Sequence, residues 1–185
     1  MQAINDEDIL QWLKTPGSQE KGFRALVAKY SERLYWHIRK MVVDHEDAND
    51  VLQNTFIKTY RGIGNFKGDS ALYTWLYRIA SNEGLTHLKK KQRKQTMDID
   101  DETLHLDNRL KSSTYFEGDQ VQHVLQLAIA TLPEKQRVVF NLRYFENMKY
   151  DDMSEVLETS VGALKASYHH AKSKIETFVK NNVQW

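Results

Sequence analysis

Tyr73, Tyr77, Arg78 and Asn82 are followed a short way downstream by Lys89, Lys90, Lys91, Arg93 and Lys94. Aromatic faces stack on unpaired bases, an amide and a guanidinium hydrogen-bond to base edges, and clustered cations neutralise phosphates while releasing their counterions. That is the chemistry of single-stranded or opening DNA. Each feature alone has an ordinary explanation, since rings on an amphipathic helix usually belong to a core and a lysine run is usually a solvated helix end. Their order along one stretch points to nucleic acid.

The element that must hold these side chains is a helix. Leu72, Trp75, Leu76, Ile79, Ala80 and Leu88 recur at helical spacing, so they face a core and leave Tyr73, Tyr77, Arg78 and Asn82 nearer the other side. A polar loop with Gly64 and Gly68 leads in, and Asp69 or Ser70 supplies a side-chain oxygen for the first amides. In the loop from Gly62 to Ser70, Asn65, Phe66 and Lys67 are the residues expected closest to an unstacked base.

Leu72-Tyr-Thr-Trp-Leu-Tyr-Arg-Ile-Ala-Ser-Asn82 and the basic run after it resemble the second region of bacterial sigma factors of the extracytoplasmic-function group. The pattern there is Phe-x-Thr-Trp-Leu-x-Arg-Ile-Ala-x-Asn, and Trp75, Leu76, Arg78, Ile79, Ala80 and Asn82 match it position by position. The resemblance implies that the loop and helix, with Asn65, Phe66, Lys67, Tyr73, Tyr77, Arg78, Asn82, Lys89, Lys90, Lys91 and Arg93, recognise and help melt the downstream (−10) promoter element.

Ahead of this stretch, Asn5 can cap a short helix carrying Ile9, Leu10 and Leu13, which Pro16-Gly17 ends. From about Ser18 a longer helix buries Phe23, Leu26, Val27, Tyr30, Leu34, Ile38, Met41 and Val42. After a polar break at Asp44-His45, residues 46–61 form a third helix, burying Ala48, Val51, Leu52, Thr55, Phe56 and Tyr60 and turning Asp47, Asp50, Gln53, Asn54 and Lys58 outward. The sequence Asp47-Ala48-x-Asp50-x-x-Gln53-x-x-Phe56 is similar to the family pattern that docks on the clamp coiled coil of RNA polymerase. By that resemblance Asp47, Asp50, Gln53 and Asn54 are the polymerase-binding candidates.

Residues 95–117 lose helical periodicity and are polar and largely acidic, with Asp98, Asp100, Asp101, Glu102 and Asp107, which reads as a linker. The resemblance implies that it threads the channel used by nascent RNA. Beyond it, Val121, Val124, Leu125, Ala128 and Ile129 make one stripe, Pro133 stands at a first helical position, and Val138, Val139, Leu142 and Phe145 mark the next helix. Tyr150 to Lys172 divides into helix, turn at Glu158-Thr159-Ser160, and helix, a helix-turn-helix spacing that a plain helical hairpin also satisfies. Leu132-Pro133-x-x-x-Arg137 and Gly162-Ala163-Leu164-Lys165 resemble the fourth region of the same family. The resemblance then places Ser160, Gly162, Ala163, Lys165, Ala166, His169, His170 and Lys172 at the upstream (−35) element. The chain departs from the pattern at Glu158, where the family has glycine, and at Ser167, His170 and Lys172, where it has arginines, so upstream sequence preference is its own.

Composition sets the outer limits. A net charge of +1 excludes a uniformly basic DNA binder, so contact depends on segregated charge. With no cysteine there is no disulfide or thiolate site; no Gly-rich phosphate loop, metal-ligand spacing or catalytic constellation appears, and His169 and His170, adjacent on a helix, diverge by about 100°. Residues 1–20 fit neither a signal nor a transit peptide and no run approaches membrane-spanning length, so a cytoplasmic protein is expected, without cofactor, metal or enzymatic activity.

The expected fold is all-α. It comprises a sigma region 2-like bundle (1–94), a polar acidic linker (95–117) and a region 4-like helix-turn-helix domain (118–185). The resemblance implies as partners core RNA polymerase, at its clamp coiled coil and flap, and promoter DNA, with an anti-sigma factor as a further candidate. The competing expectation is a stand-alone helix-turn-helix regulator with a ligand- or partner-responsive N-terminal domain, which would be a dimer with a pocket.

Overall fold

A computed structural model describes residues 4–95 and 120–183, which form eight α-helices and a short 3-10 turn, with no strand among the described residues. The expected linker from 96 onward lies outside them. Helix α1 spans Asp6–Lys14, and the Asn5 side chain accepts from the Asp8 amide at 2.7 Å. Gly17, at φ 82°, turns the chain into α2, Gln19–Val42. A Cβ added at Gly22 would stand 2.8 Å from the Leu13 amide nitrogen, so only glycine lets α1 lie this close to α2.

Val43 ends α2 at φ 66°, an expensive conformation for a β-branched residue, and its amide donates to the Arg39 carbonyl at 2.9 Å. Helix α3 then runs His45–Gly62. The Asp44 carboxylate accepts from the Glu46 and Asp47 amides, so His45, expected within the break, is already helical. The expectation that Tyr60 is buried is corrected. The inward row is Ala48, Val51, Thr55 and Thr59, which leaves Tyr60 about 100° away and 59% exposed, its ring edge-on to Phe23 at 5.0 Å.

A 3-10 turn, Ile63–Asn65, and the loop to Ala71 lead into α4, Leu72–Gln95. Its first bond runs from the Trp75 amide to the Ala71 carbonyl, 3.2 Å. The residue at the N-cap position is thus Ala71, which has no side-chain oxygen, so the expectation that Asp69 or Ser70 holds that position is corrected.

The later helices are α5 (Gln120–Ala130), α6 (Glu134–Tyr144), α7 (Tyr150–Leu157) and α8 (Val161–Asn182). Pro133 sits at the N-cap of α6 with extended ψ, one position earlier than expected, and its carbonyl accepts from the Arg137 amide. The guanidinium of buried Arg137 donates to the Ala130 carbonyl at 2.7 Å, so Leu132-Pro133-x-x-x-Arg137 is a structural clasp between α5 and α6.

One apolar core runs from Ile9, Leu26, Leu34 and Ile38 through Val51, Leu72 and Leu76 to Leu142, Met153, Val156 and Leu164. A second, built from Ala128, Ile129, Leu132, Phe140, Ala171 and Ile175, ties α5, α6 and α8. Burying a large aliphatic side chain contributes about 1.5–3 kcal/mol, and the first core crosses from the N-terminal helices into α6, α7 and α8. The two halves share a packed seam.

Candidate nucleic-acid and polymerase interface

The seam lies on the face of α4 expected to be open. Tyr77 is 0% exposed, and its hydroxyl donates to the Glu146 carboxylate at 2.6 Å while its ring packs 4.9 Å from that of His37. Half-buried Tyr73, one turn earlier, donates to Asp152 at 2.5 Å. Burial first, and then these carboxylate acceptors, push both phenol pKa values up, so both hydroxyls remain donors. Arg33 and Lys40 stand 3.7 and 3.9 Å from the same Glu146 carboxylate. The outward placement of Tyr73 and Tyr77 is therefore corrected in this arrangement, because α6 and α7 supply the cover that a single-helix pattern does not contain.

Beside the seam, Phe66 is 7% exposed and packs on Trp75 with centroids 5.3 Å apart, inside the core rather than at the loop surface. Asn65 and Lys67 are exposed. With Arg78 and Trp75 they line a cleft of about 440 Å³ whose far wall is Ser154, Glu155 and Glu158. Asn82, Lys89, Lys90 and Arg93 are exposed further along α4.

Lys91 is different. Its ammonium pairs with Asp47 of α3, and His87 Nε2 lies 3.1 Å from the other oxygen of that carboxylate. Asp47, expected to face outward for a partner, is thus half-buried against α4 and joined to a member of the basic run. Asp50, Gln53 and Asn54 are exposed as expected. Ile57 shares their face at 42% exposure and was missed; its signal was an apolar side chain one turn after Gln53, off the inward row.

In the second half, Glu158 forms the α7–α8 turn at φ 50°. An L side chain pays about 1–2 kcal/mol there, which explains why glycine suits the position. The Ser160 side chain caps α8 by accepting from the Ala163 amide at 3.4 Å. Leu164, Ala171 and Ile175 point inward, whereas Gly162, Ala163, Lys165, Ala166, His169, His170 and Lys172 are exposed along one reach of helix. This is a recognition-helix geometry, and α8 continues ten residues beyond Lys172, to Asn182. The His169 and His170 rings lie 6.0 Å apart and inclined at 61°, and among the described residues no group of three or more His, Cys, Asp or Glu could hold a metal ion.

The family described as Sigma-70 region 2 matches residues 26–94, and that described as Sigma-70, region 4 matches 122–175. The RNA polymerase sigma-H factor of Pseudomonas aeruginosa is 36% identical over 165 residues, covering 85% of this chain and 86% of that protein. The ECF RNA polymerase sigma-E factor of Haemophilus influenzae is 31% identical, with 97% of each covered. The chain belongs to the extracytoplasmic-function group of the sigma-70 family.

This sigma factor also shares its fold with solved relatives. CnrH in complex with the cytosolic domain of CnrY matches with TM-score 0.68 at 19% identity, covering 95% of this chain and 96% of that one. The sigma factor RpoE in complex with the anti-sigma factor NepR from Bartonella quintana matches with TM-score 0.69 at 21% identity, covering 86% and 98%. Both matched regions lie in the expected order, so the stand-alone regulator is not favoured. No helix among the described residues is long and apolar enough to cross a membrane.

Proposed function

We propose that this sigma factor directs core RNA polymerase to its promoters by dividing the work among three surfaces. Asp50, Gln53 and Asn54 on α3 dock on the polymerase clamp coiled coil, with Ile57 as the apolar contact among them. Asn65, Lys67, Arg78, Asn82 and the cations Lys89, Lys90, Lys91 and Arg93 handle the downstream element as it opens, joined by Phe66, Tyr73 and Tyr77 once these are uncovered. The outer face of α8, from Ser160 to Lys172, lies in the major groove of the upstream element, while the second half also meets the polymerase flap. We divide the chain at 1–94, 95–117 and 118–185 and place it in the cytoplasm, with an anti-sigma factor as a further partner and no catalytic step of its own.

The observation that carries this reading is the separation of exposed faces: a docking face on α3, a base-capture loop beside the cations of α4, and an outward α8 in the second half. Its test is holoenzyme assembly. The Asp50→Arg, Gln53→Ala double variant is expected to keep wild-type helicity and to lose at least about tenfold in affinity for core enzyme, as removing charged contacts from an interface does. Unchanged affinity would remove the docking assignment.

A further inference from the structure

Asp47 stands in the first turn of α3, where the Asp44 side chain accepts from its amide and the helix dipole favours a negative side chain. Its carboxylate reaches across to α4. One oxygen takes the Lys91 ammonium and the other lies 3.1 Å from His87 Nε2, and these two partners, four residues apart, share one face of α4. Both oxygens are engaged. Farther along the same antiparallel pair of helices the polarity is reversed, with Lys58 of α3 joined to Glu83 of α4. The two helices are thus pinned at two levels.

The basic run is therefore not a uniform row of cations. Lys89 and Lys90 are exposed, whereas the Lys91 side chain is 26% exposed and its charge is already met by a carboxylate. Neighbours on a helix diverge by about 100°, which turns Lys90 outward and Lys91 toward α3. A phosphate that takes Lys91 must displace Asp47. The Lys91–Asp47 pair presents no net charge to DNA, so it neutralises no phosphate and releases no counterion.

We propose that Asp47 is a positioning residue of the DNA surface: it holds Lys91 against α3, withholds that charge from phosphate, and so sets how many cations of the α4 run count toward binding. This assignment rests on the reading of that run as the phosphate-binding surface. It takes Asp47 out of the polymerase-docking face, whose exposed members Asp50, Gln53 and Asn54 begin one turn later. Withholding a phosphate contact weakens the sequence-independent part of binding and leaves base contacts untouched. Asp47 thereby raises the share of affinity that depends on sequence.

The test is a salt titration of holoenzyme on a forked promoter fragment, with affinity for core enzyme measured for the same proteins. Asp47→Asn keeps the shape of the side chain without its charge, and it is expected to steepen the salt slope by about one and to bind DNA roughly fivefold more tightly near about 0.1 M salt. Asp47→Glu, which keeps the charge, is expected to keep the wild-type slope. Lys91→Ala should lower the slope much less than Lys90→Ala does in the wild-type chain, but by about one when combined with Asp47→Asn. Core affinity is expected to be unchanged in Asp47→Asn.

An unchanged slope in Asp47→Asn, equal steepening in Asp47→Asn and Asp47→Glu, or equal losses from Lys91→Ala and Lys90→Ala would overturn the assignment. Loss of core affinity in Asp47→Asn would also overturn it, by returning that residue to the docking face. The single lysine variants decide the matter even where an Asp47 variant fails to fold, because alanine suits a helix interior. Lys90→Ala separates the two levels. If it leaves the slope unchanged, the phosphate reading of the run fails and the role of Asp47 with it; if it lowers the slope while Asp47→Asn changes nothing, the role of Asp47 alone fails.

Discussion

His37 is 0% exposed between α2 and α4, with Nε2 2.9 Å from the Ser81 hydroxyl. Burial, and then the nearby Lys40 charge, hold its pKa down to about 3. Between about pH 3 and 6.5 the folded imidazole is neutral while the unfolded one takes up a proton, so the unfolded state binds more protons and stability falls as pH falls through that window. The slope for this one group approaches about 1.4 kcal/mol per pH unit. Urea unfolding at about pH 7 and about pH 5 is expected to show that loss in the wild type and a flatter dependence in His37→Gln; identical slopes would contradict it. The sequence places His37 and Lys40 on the same long helix, but the burial that chiefly keeps His37 neutral depends on α4 packing over it, with Ser81 and Tyr77 against the ring.

At the scale of elements, caps and periods were largely readable. Asn5 caps α1 through its side chain as its place in the sequence predicts, Ser160, read only as the end of a turn, proves to be the side-chain cap of α8, and the inward rows of α2 and α3 follow from three- and four-residue spacing. How closely helices approach was not readable. At Gly22 a methyl group would meet Leu13 backbone at 2.8 Å and the Trp12 Cβ at 3.0 Å, and backbone cannot rotate aside as a side-chain tip can. Gly22→Ala is expected to cost about 1–3 kcal/mol by forcing α1 from α2, even though alanine is the better helix former. Gly84→Ala, which would meet the flexible end of Met41, is expected to cost less; thermal unfolding that ranks them in reverse would refute this packing argument.

At the scale of the whole molecule, charge is sorted by place. Lys90 is exposed on the basic run of α4, and Lys165 is exposed on the outer face of α8, its ammonium 5.7 Å from the Tyr150 ring. A phosphate contact carries no sequence information, whereas a base contact does. Lys90→Ala is therefore expected to weaken holoenzyme binding on all promoters about equally and to reduce the salt slope by about one. Lys165→Ala should change preference among upstream elements, by roughly 1–3 kcal/mol where a good base contact is lost. Salt titrations on matched and scrambled upstream elements check both; a sequence-selective Lys90 effect or a uniform Lys165 effect would reverse the assignment.

The sequence by itself determined the all-α class, the order of the two matched regions and the helix-turn-helix cut, because these rest on local periodicity, caps and motif spacing within single elements. It also located the exposed α3 and α8 faces, which depend on which side of one helix is apolar. Only the tertiary structure decided that Asp47 belongs to Lys91 and His87, that Phe66 packs under Trp75, and that Tyr73 and Tyr77 meet Asp152 and Glu146. Those partners are up to 79 residues away in the chain, and whether an aromatic face is open or covered is a property of what packs on it rather than of its own period.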